Sequence, residues 1–316
     1  MITVKAPHPL KNKLRATTRV LLWATLFYLG VTLIFLGSSF GTSYLLQQNT
    51  EQASSGLTVN QVDANKRRKT SYDTSKTASI STSKILQAKR QKAYAIGRLA
   101  IPAVNIHNPL FAGYGDQNQN LAYGVVTCLP DRVMGGANNY VLAGHYMGAY
   151  GPAVLDNLHL AKRGDRIYVT DLHHIYAYQI NRISFAIKPN QVEVENNVKE
   201  KSMITLITCS DFNTSKYGYG EHRTVVQGDL ISQLKATKKK LQALELTAHP
   251  QTTSKQPQVT LPTKKAGRVR SAARPQFFQN TNLISKLIMG FTVIFLLLLC
   301  WRIVRIWRPR GKSSSH

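Results

Sequence analysis

Cysteine is scarce in this chain. There are three in 316 residues, Cys128, Cys209 and Cys300, an odd and widely scattered set that argues against a disulfide framework. No His or Cys pair stands at ligand spacing beside a third ligand, so no metal site is expected. Proline is missing from residues 41–95. No internal repeat is visible. Acidic residues are missing from both ends, since residues 1–19 and 301–316 each carry five Lys/Arg and no Asp or Glu.

The positive charge is abundant but unevenly placed. The chain has 41 Lys+Arg against 15 Asp+Glu, a formal charge of +26. The two ends hold ten of these charges, and residues 41–95 and 231–286 hold the other sixteen. Residues 96–230 contain eleven basic and eleven acidic side chains and are neutral. A fold that grips a phosphate backbone needs its cations on the folded surface, so this distribution argues against a nucleic-acid partner.

Two uncharged hydrophobic runs stand near the ends. Val20 to Phe40 is long enough, at about 1.5 Å per residue, to cross a bilayer core of about 30 Å. It is longer than the apolar centre of a cleaved signal peptide and is expected to be an uncleaved anchor. The basic flank before it and the lack of Lys/Arg in residues 41–60 place the N-terminus in the cytoplasm. Leu287 to Trp301 is shorter and needs Leu283 and Val304, or snorkelling Lys286 and Arg302, to complete a second span. Both termini are then cytoplasmic and the middle of the chain is extracellular.

Residues 50–84 contain 13 Ser/Thr and few large apolar residues. Such a composition buries too little surface to fold alone and predicts a flexible tether. Ile231 to Leu246 could form a short helix with Leu234, Leu241 and Leu244 on one side, followed by a second, basic and proline-rich tether. Leu261 to Thr263 fits only the start of a Leu-Pro-x-Thr-Gly sorting motif, since Lys264 and Lys265 fill the last two places, and it is taken as chance.

Between the tethers, IGRLAIP, YVLAGHY, RIYVTD, HIYAYQI, MITLITC and HRTVVQG are short runs of β-branched and aromatic residues separated by Gly, Pro, Asn and Asp. They predict seven or eight strands in an all-β barrel or sandwich, with one helical turn at Val154 to Leu160. Cys209 closes MITLITC where the chain enters a polar loop, at the rim of the barrel. A thiol is nucleophilic as its thiolate and needs a nearby cation or base. Arg223 starts the next strand pattern, and a hairpin brings it beside Cys209. His145 ends YVLAGH at another rim. Imidazole can stabilise a thiolate and protonate a leaving amine, and a guanidinium can hold an oxyanion, so the three types suit acyl transfer. His222 is the rival for a place near Cys209. Cys128 is read as an inert buried thiol or a chance surface residue, and Cys300 as a small apolar residue of the second span.

TLITC at Thr205 to Cys209, AGH at Ala143 to His145, and Arg223 after the loop resemble the sortases, membrane-anchored cysteine transpeptidases of Gram-positive bacteria. LAIPAVNIHNPLFAG at Leu99 to Gly113 and KRGDRIYV at Lys162 to Val169 extend the resemblance over residues 94–230. It implies an all-β, eight-stranded sortase barrel. Cys209 would attack the Thr-Gly carbonyl of an LPxTG-type signal on a surface-protein precursor. His145 would be the general acid and base, and Arg223 would hold the oxyanion and the substrate, with Thr208 bonding in the same hole. The acceptor implied is the amine of a lipid-linked peptidoglycan precursor, and no cofactor is implied. Some members bind calcium through acids before the His strand. Residues 127–139 offer Asp131 alone, which argues against calcium dependence.

The N-terminal anchor and the long loop between Cys209 and Arg223 resemble the class A, housekeeping members. The second hydrophobic segment resembles class C, the pilin polymerases, but the proline-free 41–95 segment lacks that class's Asp-Pro-aromatic lid. A catalytically silent binding protein on the same barrel is the remaining alternative. The organisation expected is a basic cytoplasmic segment 1–19, a span 20–40, a flexible tether 41–93, a catalytic domain 94–230, a basic tether 231–282, a second span 283–304 and a basic tail 305–316.

Overall fold

The computed structural model describes residues 9–75, 77, 79–148, 154–210, 220–248 and 281–308. The chain divides into two compact units, one formed by its two ends and one by Ser39–Gln279.

The first unit pairs helices α1 (Pro9–Gly37) and α6 (Thr281–Trp307). Stretches Leu10–Gly37 and Lys286–Trp307 are long and apolar enough to cross a bilayer. The helices meet through stacked Phe27 and Phe295 rings, and Tyr28 Oη bonds Thr292 Oγ1 at 3.0 Å. Such a polar contact steadies two helices where water is absent. The first apolar helix differs from the expected 20–40: it starts at Pro9 because the basic stretch is rich in helix formers, and it ends at Gly37. At that end the Ser38 N–H turns back to the Phe35 carbonyl, and Phe40 belongs to the next helix.

The second unit is the expected eight-stranded barrel. Its strands are β1 (Ala95–Ile101), β2 (Ile106–Phe111), β3 (Val125–Thr127), β4 (Asn138–Ala143), β5 (Arg166–Thr170), β6 (His174–Ile187), β7 (Ser202–Cys209) and β8 (Arg223–Lys235). They close in the order β1-β2-β3-β4-β7-β8-β6-β5. The β2–β3 and β4–β7 pairs are parallel and the others antiparallel. Leu99, Ile101, Leu110, Leu142, Ile167, Tyr178, Leu206 and Val226 are buried and fill the interior. A 3-10 turn at Asp156–Leu160 takes the place of the expected helical turn.

The expected tether 41–93 is different in the structure. It carries helices α2 (Ser39–Ser54), α3 (Val59–Lys66) and α4 (Thr82–Ala88), and Leu46, Val62 and Ile85 are fully buried. Composition misled here because the segment needs no core of its own: Leu46 and Ile85 are added to the barrel's. Its polar residues are also structural. Thr58 and Gln61 form a capping box on α3, Ser81 caps α4, and the Ser54 carbonyl accepts from the buried Arg98 at 2.7 Å. Gly113, at φ +58°, allows the Ser71 carbonyl to approach closely; a Cβ there would lie 2.4 Å from that oxygen.

The stretch expected to be a tether from residue 231 is folded over its described part, to residue 248. Strand β8 continues to Lys235, α5 (Lys238–Ala243) follows, and Leu244 and Leu246 are buried with Tyr168, Ile175 and Ala177. Arg98 donates to the Leu246 carbonyl at 3.2 Å, joining both flanking segments to β1. The Leu-Pro-Thr of residues 261–263, the proline-rich stretch and the tail from residue 309 lie outside the described residues.

Candidate active site

Strand alternation sets the site. In β7, Ile204 and Leu206 are buried in the barrel core, which leaves Thr205, Ile207 and Cys209 on the other face. Cys209 is the final residue of the strand and is half-buried. Opposite it, in the last pair of the β7–β8 ladder, stands Arg223. Side chains of such a pair share a face, with Cβ atoms about 5 Å apart. The guanidinium is held by its own loop, donating from Nη1 to the Gly220 carbonyl at 2.8 Å and to the His222 carbonyl at 3.2 Å.

His145 reaches the same rim from the other flank of β7. The parallel β4–β7 register ends at Ala143 opposite Ile207, and His145 follows two residues past that end of β4, as Cys209 does past Ile207 in β7. The turn that carries it is fixed. The Gly144 N–H donates to the Ile207 carbonyl at 3.2 Å, the Leu155 N–H donates to the His145 carbonyl at 3.1 Å, and buried Asp156 accepts from the Met147 N–H. Burial, with a smaller contribution from the Lys84 ammonium, pushes the imidazole down to about 4. It is therefore neutral in the resting protein near pH 7.

Thr208 is not brought to this face. Alternation turns it the other way, and its Oγ1 donates to the Gly144 carbonyl at 2.8 Å. That bond ties the end of β4 to the end of β7, immediately before His145. His222, the rival histidine, lies next to Arg223, and its carbonyl accepts from the Ser210 N–H as well. Among the described residues, His107 pairs with Glu245, His173 with Asp63, and His159 Nδ1 bonds the Asp156 carbonyl. Cys128 is buried against Tyr114, and burial pushes its thiol up to about 12, which leaves it unreactive as a nucleophile. Among the described residues no group of three or more His, Cys, Asp or Glu could hold a metal ion.

The sequence reading missed a polar bracket beside this face. Asn139 donates to the carbonyls of Val194 and Asn196, Arg132 donates to Asn197 Oδ1 at 2.6 Å, and the Val198 N–H donates to Asn138 Oδ1. Thr205 Oγ1 donates to Asn139 Oδ1 and accepts from Gln227. The loop containing the turn Val192–Glu195 is thus fastened along the strands that carry the rim residues. Lys84 was missed as well. Ser81 before Thr82, Ser83 and the apolar Ile85 was the available signal, a helix cap inside a segment read as unstructured.

Residues 99–231 match the family described as Sortase domain. The chain is 38% identical over 198 residues to sortase A of Streptococcus agalactiae serotype III (strain NEM316), covering 61% of this chain and 78% of the relative. It is 33% identical over 207 residues to sortase A of Bacillus anthracis, covering 65% of this chain and 91% of the relative. Among solved structures, sortase A of Listeria monocytogenes aligns with 48% of this chain and 96% of its own, at 32% identity and a TM-score of 0.43.

Proposed function

The chain belongs to the sortase family of cysteine transpeptidases, and from that premise we propose that it cleaves LPxTG-type sorting signals between Thr and Gly and transfers the surface protein to a cell-wall precursor amine. The observation that carries the reading is the Cys209–Arg223 strand pair, with His145 two residues past the end of the neighbouring strand β4.

In this mechanism the Cys209 thiolate attacks the Thr carbonyl carbon. Arg223 stabilises the oxyanion as the tetrahedral intermediate forms. The intermediate collapses as protonated His145 gives its proton to the departing Gly amine, leaving a thioester on Cys209. An incoming amine then attacks the thioester, and His145 takes the proton back. Because burial disfavours the imidazolium, the reactive thiolate–imidazolium pair is a minor fraction of the resting enzyme. Thr208 is a positioning residue in this scheme, acting through Gly144 on the approach to His145. The reaction calls for no cofactor, and Asp131 as the single acid in residues 127–139 argues against calcium dependence.

Helices α1 and α6 are the proposed anchors, with both termini cytoplasmic and the barrel extracellular. The basic residues before the first apolar run support that orientation. The second apolar helix also favours one other reading, pilin polymerisation. Deleting the gene separates them: release of many LPxTG proteins with intact pili supports general anchoring, and loss of pili alone supports polymerisation.

The direct test uses the full chain in detergent micelles with an LPxTG-type peptide and an amine acceptor. Cleavage at Thr-Gly that disappears in Cys209→Ala is expected. Cleavage that survives this substitution, or no cleavage by the unsubstituted chain, overturns the reading.

A further inference from the structure

Eight cations are gathered where the segments flanking the barrel fold onto it. Residues 66–69 read KRRK and residues 235–240 read KATKKK, with no acid in either. Strand direction brings them together. Antiparallel register sets Arg98 of β1 against Thr170 at the end of β5, and His174 at the start of β6 against Lys235 at the end of β8. The start of β1, the β5–β6 turn and the end of β8 therefore share one end of the barrel.

Side-chain and backbone contacts hold both basic segments at that end. Helix α3 is fastened to the β5–β6 turn by Lys66 Nζ and Asp171 Oδ2 at 2.7 Å, and by His173 Nε2 and Asp63 Oδ2 at 3.0 Å. The Ala236 N–H donates to the carbonyl of the same His173 at 2.8 Å. Arg68 lies over the Tyr94 ring, 3.9 Å from its centroid and just before β1. The acids of the turn are thus already matched with Lys66 and His173. Arg67, Lys69, Lys235, Lys238 and Lys239 are exposed and have no ion-pair partner among the described residues. The catalytic rim is at the opposite end. Strand β8 runs thirteen residues from Arg223, opposite Cys209, to Lys235. At about 3.3 Å per residue, on the order of 35–40 Å of strand separates the two ends.

We propose that this basic end of the barrel unit docks on a bilayer surface of anionic phospholipid, and so holds the catalytic rim facing away from the lipid. Charge and connectivity identify the partner. Unpaired cations crowded on one end of a folded body repel one another, and a sheet of phosphodiester headgroups relieves that repulsion. The cations are spread over two segments, which suits an extended anionic surface. Only Ser38 stands between α1, which is long and apolar enough to cross a bilayer, and α2, which begins the barrel unit. A bilayer that takes up α1 is therefore within reach of the unit. The inference uses the anchor reading above and is independent of the transpeptidase chemistry.

The experiment reconstitutes the full chain into nanodiscs of phosphatidylcholine, alone or mixed with phosphatidylglycerol. Lysine acylation by a soluble N-hydroxysuccinimide ester is followed site by site by mass spectrometry. Acylation of Lys69, Lys235, Lys238 and Lys239 should slow about fivefold in the anionic discs, the scale of one cation's attraction to such a surface, and recover in about 0.5 M salt. Lys188 is the control, because it follows Ile187, which pairs with Arg223 at the rim, and it should be unaffected. In Lys235→Gln/Lys238→Gln/Lys239→Gln most of the protection at Lys69 should disappear. Equal acylation of the unsubstituted chain in both kinds of disc overturns the proposal, and so does slowing that Lys188 shares. Protection by soluble polyphosphate with none from the anionic discs assigns this end to a free polyanion and overturns it too. A chain that fails to enter neutral discs is a separate result and refutes the anchor reading together with the docking.

Discussion

Cys209 and Arg223 are 14 positions apart in sequence and directly opposite one another in the final pair of the β7–β8 ladder. The pairing puts Arg223 on the thiol's side of the ladder by strand register, and the loop carbonyls of Gly220 and His222 hold its guanidinium.

Replacing Arg223 by Ala removes the proposed oxyanion donor. The expected result is a fall in kcat/KM for the sorting peptide of about 10²–10³, the usual effect of deleting one such donor. Arg223→Lys recovers little, because a compact ammonium lacks the planar fork of donors. Single-turnover thioester formation is the measurement, and a loss under twofold in Arg223→Ala refutes the role.

His145 should make stability depend on pH. Its folded value, about 4, lies below the ordinary value of 6.5 because the site is desolvated. Above about 6.5 both states are neutral at this position and it contributes no pH dependence. Between about 6.5 and 4 the unfolded chain binds the proton more readily, so stability falls as pH falls through this window. Denaturation midpoints measured from pH 7.5 to 4 should decline less steeply in His145→Gln; parallel curves would contradict the argument.

The helices before the barrel belong to its fold. Leu46→Ala and Ile85→Ala should each cost about 2–5 kcal/mol, the range for truncating a buried aliphatic side chain. Urea denaturation of the full chain, followed by intrinsic fluorescence, gives the difference. A flexible tether would show changes within about 0.5 kcal/mol at either position.

Asn139 holds two carbonyls of the Val192–Glu195 region and the hydroxyl of Thr205. In Asn139→Ala, amide hydrogen exchange over residues 192–198 should accelerate. The KM for the sorting peptide should rise several-fold with a smaller change in kcat if the loop beside the rim helps to hold the peptide. Unchanged exchange would mean that the bracket does not control the loop.

A thiol-reactive probe offers a direct contrast between the two barrel cysteines. At pH 8 the folded chain should label at Cys209 and remain unlabelled at Cys128, whose thiol burial pushes up to about 12. Mass spectrometry of the tryptic peptides checks this, and equal labelling would show that Cys128 is accessible.

By itself the sequence determined the local chemistry and the period of each element. Alternation in MITLITC and HRTVVQG fixed strands with Cys209 and Arg223 at their ends, the neutral charge of residues 96–230 marked the barrel, and two uncharged runs marked the helices able to cross a bilayer. Those features are legible because they depend on neighbours within a few residues. Tertiary structure decided what depends on distant partners. It turned Thr208 toward Gly144 and away from the thiol's face, and assembled the Asn139 bracket from three strands and a loop. It also made residues 39–93 part of the folded body. A Ser/Thr-rich segment with a few apolar side chains folds when the barrel completes the burial of Leu46 and Ile85, and that surface exists only once the barrel has closed.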